Sequence, residues 1–250
     1  MKEQKCRKFG IVASILVKSI MQLKEALKNT GWANSIEIRL DHIRPILTEE
    51  FEKIVAELKK PVILSMDPHP PGNDVWTETA MQDRWQSWST IPKGLERLIN
   101  QRSRDLFVDW DHGLTVFAAK HNRTQIFPWE KIGVSFHDWN GTPDEKRLRS
   151  QLFAMQTTQA KVFIKLVTTA KNENDLRTIE HLLKDKKDQW PMIAFAMGEN
   201  GKQSRIECMY WGSAATYGYV PGFGPTAPGQ LSIAELHDDP TVSRELPPAQ

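Results

Sequence analysis

The chain has 250 residues, of which 40% are hydrophobic and 26% charged, with a formal net charge of +2, ordinary values for a globular protein of one large or two small domains. That balance gives no reason to invoke nucleic acid or an acidic membrane, and the run KDKKDQ (184–189) alternates in sign like a solvated helix end. Two cysteines, Cys6 and Cys208, exclude a disulfide framework and offer no metal-ligand spacing, which fits a reducing cytosol.

In chain order, the basic start and short apolar run of residues 1–18 look like a leader only superficially. Lys18 ends the run and no small-residue cleavage site follows, so FGIVASIL (9–16) is predicted to be a buried first strand. Residues 19–29 follow with helical periodicity, then the alternating strand SIEIRLD (35–41) and a helix over 48–60 with Thr48 as N-cap and acids in its first turn. PVILSM (61–66) is a third strand. Residues 67–90, rich in Pro and Trp, are too long for a plain connection and read as a lid or an irregular cover. A helix over 91–101 comes next, and residues 106–110 and 114–120 form the fourth pair. The strand KIGVSF (131–136) leads into a helix over 142–156, with Thr142 as cap and Pro143 in the first turn. KVFIKLV (161–167) with 173–185, the strand 191–197, and the region 213–220 complete the series.

Eight β/α units with apolar strands predict a parallel sheet covered by helices, most economically a closed (β/α)₈ TIM barrel, α/β in class. A doubly wound open sheet is the alternative, but no G-x-G-x-x-G follows the first strand. One domain over residues 1–236 is expected, with the insert at 67–90 and a polar tail over 237–250 that hangs off the barrel. No apolar segment approaches the ~20 residues that span a bilayer. GENGK (198–202) spaces its glycines too closely for a phosphate loop, and the sequon at Asn122 carries no meaning in a cytosolic protein.

Several strands carry awkward polar groups. Glu37, Arg39 and Asp41 alternate with Ile36, Ile38 and Leu40, so in a barrel they point inward, as a structural pair or a binding site. Lys165 sits within KVFIKLV. It is either a snorkelling side chain near the strand end or a buried amine, neutral and nucleophilic because burial disfavours the ammonium. His137 marks a strand end, where histidine is suited to proton transfer. Arg205 offers a forked donor for a carboxylate, and Gln230 follows the tight turn APG. An amine, a histidine and two arginines at different strand ends of one barrel suit Schiff-base chemistry on an anionic ketone.

These pieces, in order IVASIL, EIRLD, SFHDWNGTP, FIK, MGENGKQSRI, GSAATYGYV and APGQLSI, resemble type I 3-dehydroquinate dehydratase over nearly the whole chain. The resemblance implies dehydration of 3-dehydroquinate to 3-dehydroshikimate, in the shikimate pathway to chorismate and the aromatic amino acids. Lys165 would form the imine with the C3 ketone. His137 would remove the C2 proton and help the C1 hydroxyl leave, and Arg205 would bind the carboxylate. Ser14, Glu37, Arg39, Thr226 and Gln230 would line the pocket and hold the hydroxyls, Thr226 standing where the family commonly has serine. The resemblance also implies no metal or organic cofactor, a homodimer, a cytoplasmic location, and a possible fusion or association with shikimate dehydrogenase.

Departures cluster after the third strand. Asp67 stands where the family has a substrate-binding arginine, and Pro71 where it has a glutamate that orients the histidine; His69, Asp74 or Arg84 are available as stand-ins. Trp110, Val162 and Phe136 are further departures, while Asp111 keeps the acidic position of the fourth strand. Two other readings follow from them: a non-catalytic relative that binds a quinate-like ligand, or a Schiff-base lyase or aldolase with a changed substrate.

Overall fold

The computed structural model describes residues 9–41, 48–66, 77–101, 103–160, 162–186 and 191–247. Asp67, His69, Pro71 and Asp74 lie outside the described residues. Eight strands form one sheet: β1 (Gly10–Ile15), β2 (Ser35–Arg39), β3 (Val62–Ser65), β4 (Leu106–Asp111), β5 (Ile132–His137), β6 (Ile164–Thr169), β7 (Met192–Met197) and β8 (Ala215–Tyr219). Each pairs in parallel with the next along the chain from β1 to β7, and β8 returns to pair with β1. The sheet is thus a nearly closed barrel. At its last seam, β7 to β8, the ladder is replaced by two bonds from the approach to β8: Ala214 N donates to Met192 O at 2.7 Å, and Ser213 Oγ accepts from Ala194 N at 3.3 Å.

Ten helices are seen among the described residues: α1 (Ile20–Lys28), α2 (Glu49–Glu57), α3 (Glu78–Ser89), α4 (Lys93–Asn100), α5 (His112–Lys120), α6 (Glu145–Gln156), α7 (Glu173–Lys184), α8 (Lys202–Glu207), α9 (Ile233–Asp238) and α10 (Pro240–Glu245). Their inward faces follow helical spacing, as with Phe51 and Val55 of α2 or Ile179, Leu182 and Leu183 of α7. Local capping sets their starts. Ser19 accepts from Gln22 N ahead of α1, and Asn172 forms a capping box with Asp175 ahead of α7.

Three expectations change. Helix α6 begins at Glu145, capped by Asp144, whose carboxylate accepts from Arg147 N at 2.9 Å. The Thr142 hydroxyl is engaged elsewhere, 2.8 Å from Thr168 Oγ1, so it is not the cap. The described part of the 67–90 insert, from Thr77, is an ordered helix and not an irregular cover. The stretch 237–247 does not hang off the barrel: α10 starts on an Asp239 cap followed by Pro240, and Val242 is fully buried.

Alternation along the strands fills the interior from the bottom up. At the N-terminal end, Phe9 meets Phe107 and Phe163 edge-on, with ring centroids 6.1 and 5.7 Å away. Gly133 makes room for this plug, since a Cβ there would lie 2.3 Å from the Phe163 ring. Outside the barrel, Trp110 of β4 docks α3. Trp85 meets it edge-on at 5.8 Å, Trp88 stacks on it at 6.0 Å, and Phe127 closes the cluster against both Trp88 and Trp110.

Candidate active site

Above the phenylalanine plug the inward positions turn polar. In β4 the face that carries Phe107 continues through Asp109 to Asp111, in β5 through Ser135 to His137, and in β6 from Phe163 through Lys165 to Val167. The pocket they form opens at the C-terminal ends of the strands and encloses about 740 Å³, counting its open mouth. Ser14, Glu37, Arg39, His137, Lys165, Arg205, Thr226 and Gln230, the eight residues singled out from the sequence, all line it.

Lys165 is buried at the pocket floor, ruling out the snorkelling alternative. Its Nζ donates to Asp109 Oδ2 at 2.8 Å, lies 3.6 Å from Glu37 Oε1 and sits 4.6 Å over the Tyr217 ring. Burial alone presses the ammonium to shed its proton, but the attraction of Asp109 and Glu37 outweighs it and the amine's pKa is raised. Two carboxylates, from β4 and β2, thus favour the ammonium form of Lys165, which runs against the expected neutral amine. Tyr217, buried beside the same anions, is pushed well above the usual phenol value by burial and by Glu37 and Asp109.

Glu37 is fixed by a relay of hydroxyls. Ser14 Oγ donates to it at 2.5 Å, and the Thr226 hydroxyl lies 3.0 Å from both Ser14 Oγ and Gln230 Oε1. Gln230 Oε1 also accepts from Thr226 N at 2.6 Å, so the loop after β8 closes on itself and on β1. The turn that carries these groups depends on Gly229, at φ +67°, which packs against Gly198 beyond β7; a Cβ there would fall 2.1 Å from Gly198 O. APGQ and MGENG are thus two halves of one contact, sealed by Gly198 N donating to Pro228 O at 3.1 Å.

His137 ends β5 opposite Val167, one inward position beyond Ser135, which stands opposite Lys165. Two residues along the strand place the His137 backbone about 6.6 Å further toward the mouth than that of Ser135. Its ring stacks on Trp139 with centroids 6.2 Å apart. Arg39 Nε donates to Asp41 at 2.8 Å, which holds that guanidinium at the rim of β2.

Arg205 comes from α8 and is 1% exposed. Its guanidinium lies over the Phe195 ring of β7 at 4.6 Å, and Nη1 donates weakly to Tyr217 O of β8 at 3.4 Å. Among the described residues, Nε and Nη2 have no hydrogen-bond partner. Burial lowers its pKa to about 10. A desolvated, mostly unpartnered guanidinium facing a pocket has the chemistry to pair with an anion such as a carboxylate.

Sequence reasoning missed Asp109 and Tyr217 as parts of the site. The period-two pattern in LFVDWD pointed to Asp109, which shares a face with Asp111. Among the described residues, no three His, Cys, Asp or Glu side chains gather as metal ligands, and no helix is long and apolar enough to cross a membrane.

Comparison with known proteins bears on this geometry. The family model for type I 3-dehydroquinase matches residues 11–245. A 3-dehydroquinate dehydratase from Dehalococcoides mccartyi is 28% identical over 216 residues, spanning 85% of this chain and 87% of that protein. A bifunctional chloroplastic 3-dehydroquinate dehydratase/shikimate dehydrogenase from Arabidopsis thaliana is 35% identical over 108 residues, 43% of this chain and 17% of that one. Among solved structures, a type I 3-dehydroquinate dehydratase from Clostridium difficile, with covalently modified comenic acid, superposes with a TM-score of 0.67 at 21% identity, covering 95% of this chain and 92% of that one.

Proposed function

Since the chain belongs to the type I 3-dehydroquinase family, we propose that it dehydrates 3-dehydroquinate to 3-dehydroshikimate through an imine on Lys165. The observation that carries this reading is one pocket holding a buried lysine, a histidine two residues further toward the mouth on the neighbouring strand, and an arginine with two unused donors.

The chemistry follows from the placements. Substrate enters with its carboxylate toward Arg205, which supplies Nε and Nη2 and regains in the ion pair what burial cost it. The Lys165 ammonium must first give up its proton, and Asp109 Oδ2, 2.8 Å away, is the nearest acceptor. The free amine adds to the C3 ketone and water is lost, leaving an iminium that acidifies the C2 hydrogen. His137 takes the C2 proton to give an enamine and returns a proton to the C1 hydroxyl, which departs as water. Hydrolysis of the remaining imine frees the lysine. Glu37, held by the Ser14–Thr226 relay, turns its carboxylate toward the iminium and steadies its charge. Nothing in this sequence of steps calls for a metal or an organic cofactor.

One observation favours a second reading. A lysine locked between two carboxylates is also what a binding pocket without covalent chemistry would contain, and a non-catalytic quinate-binding relative would keep it as an ammonium. Intact-mass analysis after borohydride reduction with 3-dehydroquinate separates the two. A reduced adduct on Lys165, absent in Lys165→Ala, is expected. A folded protein that binds the ketone and gives no adduct would refute the imine mechanism.

A further inference from the structure

Among the described residues, one charged side chain enters the pocket from outside the eight β/α units. Arg84 belongs to α3, the additional helix between β3 and α4, and it is 4% exposed at the pocket wall. Its position is set by its neighbours. Trp85 and Trp88 clamp α3 to the outward face of Trp110, and Met81, Arg84, Trp85 and Trp88 share one side of the helix at i, i+3, i+4 and i+7. β4 thus serves both sides: Trp110 points out to hold α3, while Asp111 points in to meet the arginine that α3 carries.

Arg84 Nη1 lies 3.4 Å from Asp111 Oδ2. Asp111 is itself pinned, since Oδ1 caps α5 by accepting from Gly113 N at 2.8 Å. The pair presents a cationic donor beside an anionic acceptor on the pocket wall at β4. In an eight-stranded barrel β4 stands opposite β8, so this pair faces Arg205 across the mouth. A ligand whose carboxylate is drawn to Arg205 turns its far edge toward Arg84 and Asp111. An arginine–carboxylate pair suits neighbouring hydroxyls, each of which must both donate and accept. A second carboxylate would be repelled by Asp111.

We infer that Arg84, oriented by Asp111, recognises a vicinal diol on the substrate edge remote from its carboxylate, and that α3 and its tryptophan clamp position it there. This rests on the proposed substrate, in which the C4 and C5 hydroxyls form that edge when the carboxylate is on Arg205.

The test uses equilibrium binding, so it does not depend on imine chemistry. Quinate has the carboxylate and the diol but no ketone. Its affinity, and that of the analogue lacking the C4 and C5 hydroxyls, would be measured by calorimetry for wild type, Arg84→Gln and Arg84→Lys, with matched melting curves as the folding control. Arg84→Gln should weaken quinate by about 10- to 100-fold, the worth of a charged hydrogen bond, and leave the dideoxy analogue within about 3-fold of wild type. Arg84→Lys, which keeps the charge and loses the fork, should fall between. Equal weakening of both ligands, or none for quinate, overturns the assignment. The borohydride adduct on Lys165, scored separately on the same proteins, reports whether the imine reading stands.

Discussion

Replacing Asp109 by asparagine probes the charge state assigned to Lys165. The change keeps the side chain's shape and removes the nearer of two anions, at 2.8 Å, leaving Glu37 at 3.6 Å. With an effective dielectric of about 20, a unit pair at that shorter separation attracts by on the order of 6 kcal/mol, much of which offsets the water both groups have lost. Removing one partner of a buried pair costs about 3–5 kcal/mol, and because Glu37 still faces the amine, roughly 3 kcal/mol is expected at pH 7. The folded protein raises the amine's pKa. The pair's contribution is therefore complete below the unfolded lysine value of about 10.4 and is lost as pH climbs through the higher folded value. Urea unfolding of both proteins should show the widest stability gap near neutrality, narrowing above about pH 10.5. A gap below about 1 kcal/mol at pH 7, or one of equal size at both ends of the range, would refute the ammonium assignment.

Arg205→Met removes a buried charge that the chain barely satisfies. Thermal melting should stay level or rise, while KM for the carboxylate substrate climbs by about 30- to 1000-fold; a large drop in stability with unchanged KM would contradict the site. Gly229→Ala forces an L side chain into φ +67° and against Gly198 O. A loss of at least about 2 kcal/mol by chemical unfolding is expected, with a several-fold rise in KM as Thr226 and Gln230 lose their seat; wild-type stability would show that the APGQ turn does not need its glycine.

The barrel was legible because its strands obey one rule. Apolar residues fill both faces except where charge is unavoidable, and unavoidable charge in a parallel barrel can only point inward. Glu37, Arg39, Lys165 and His137 were found that way, and the structure brings them to one pocket. The protonation of Lys165 was not legible, because its partner Asp109 lies 56 residues away in the chain and only closure of the barrel brings them together. Helix α3 was obscured by the prolines ahead of it, although Met81, Trp85 and Trp88 already had helical spacing. Its polar Arg84 sits on the same side as the tryptophans, so the segment lacked a clean amphipathic pattern. The C-terminal stretch looked like a tail because one buried valine among polar residues is too little to register as periodicity.

The seam between β7 and β8 gives the barrel a weak generator line. Everywhere else neighbouring strands are laced by backbone ladders, so opening them breaks several bonds at once; here only the approach to β8 is tied, and higher up a single guanidinium reaches from Phe195 to Tyr217. Amides along the upper parts of β7 and β8 should exchange with solvent by a local breathing motion well below the cost of global unfolding. A carboxylate on Arg205 would neutralise that guanidinium and hold it between the two strands. Ligand binding would then act as the missing rung of the ladder, and its protection against exchange would run down the seam rather than spread evenly around the wall.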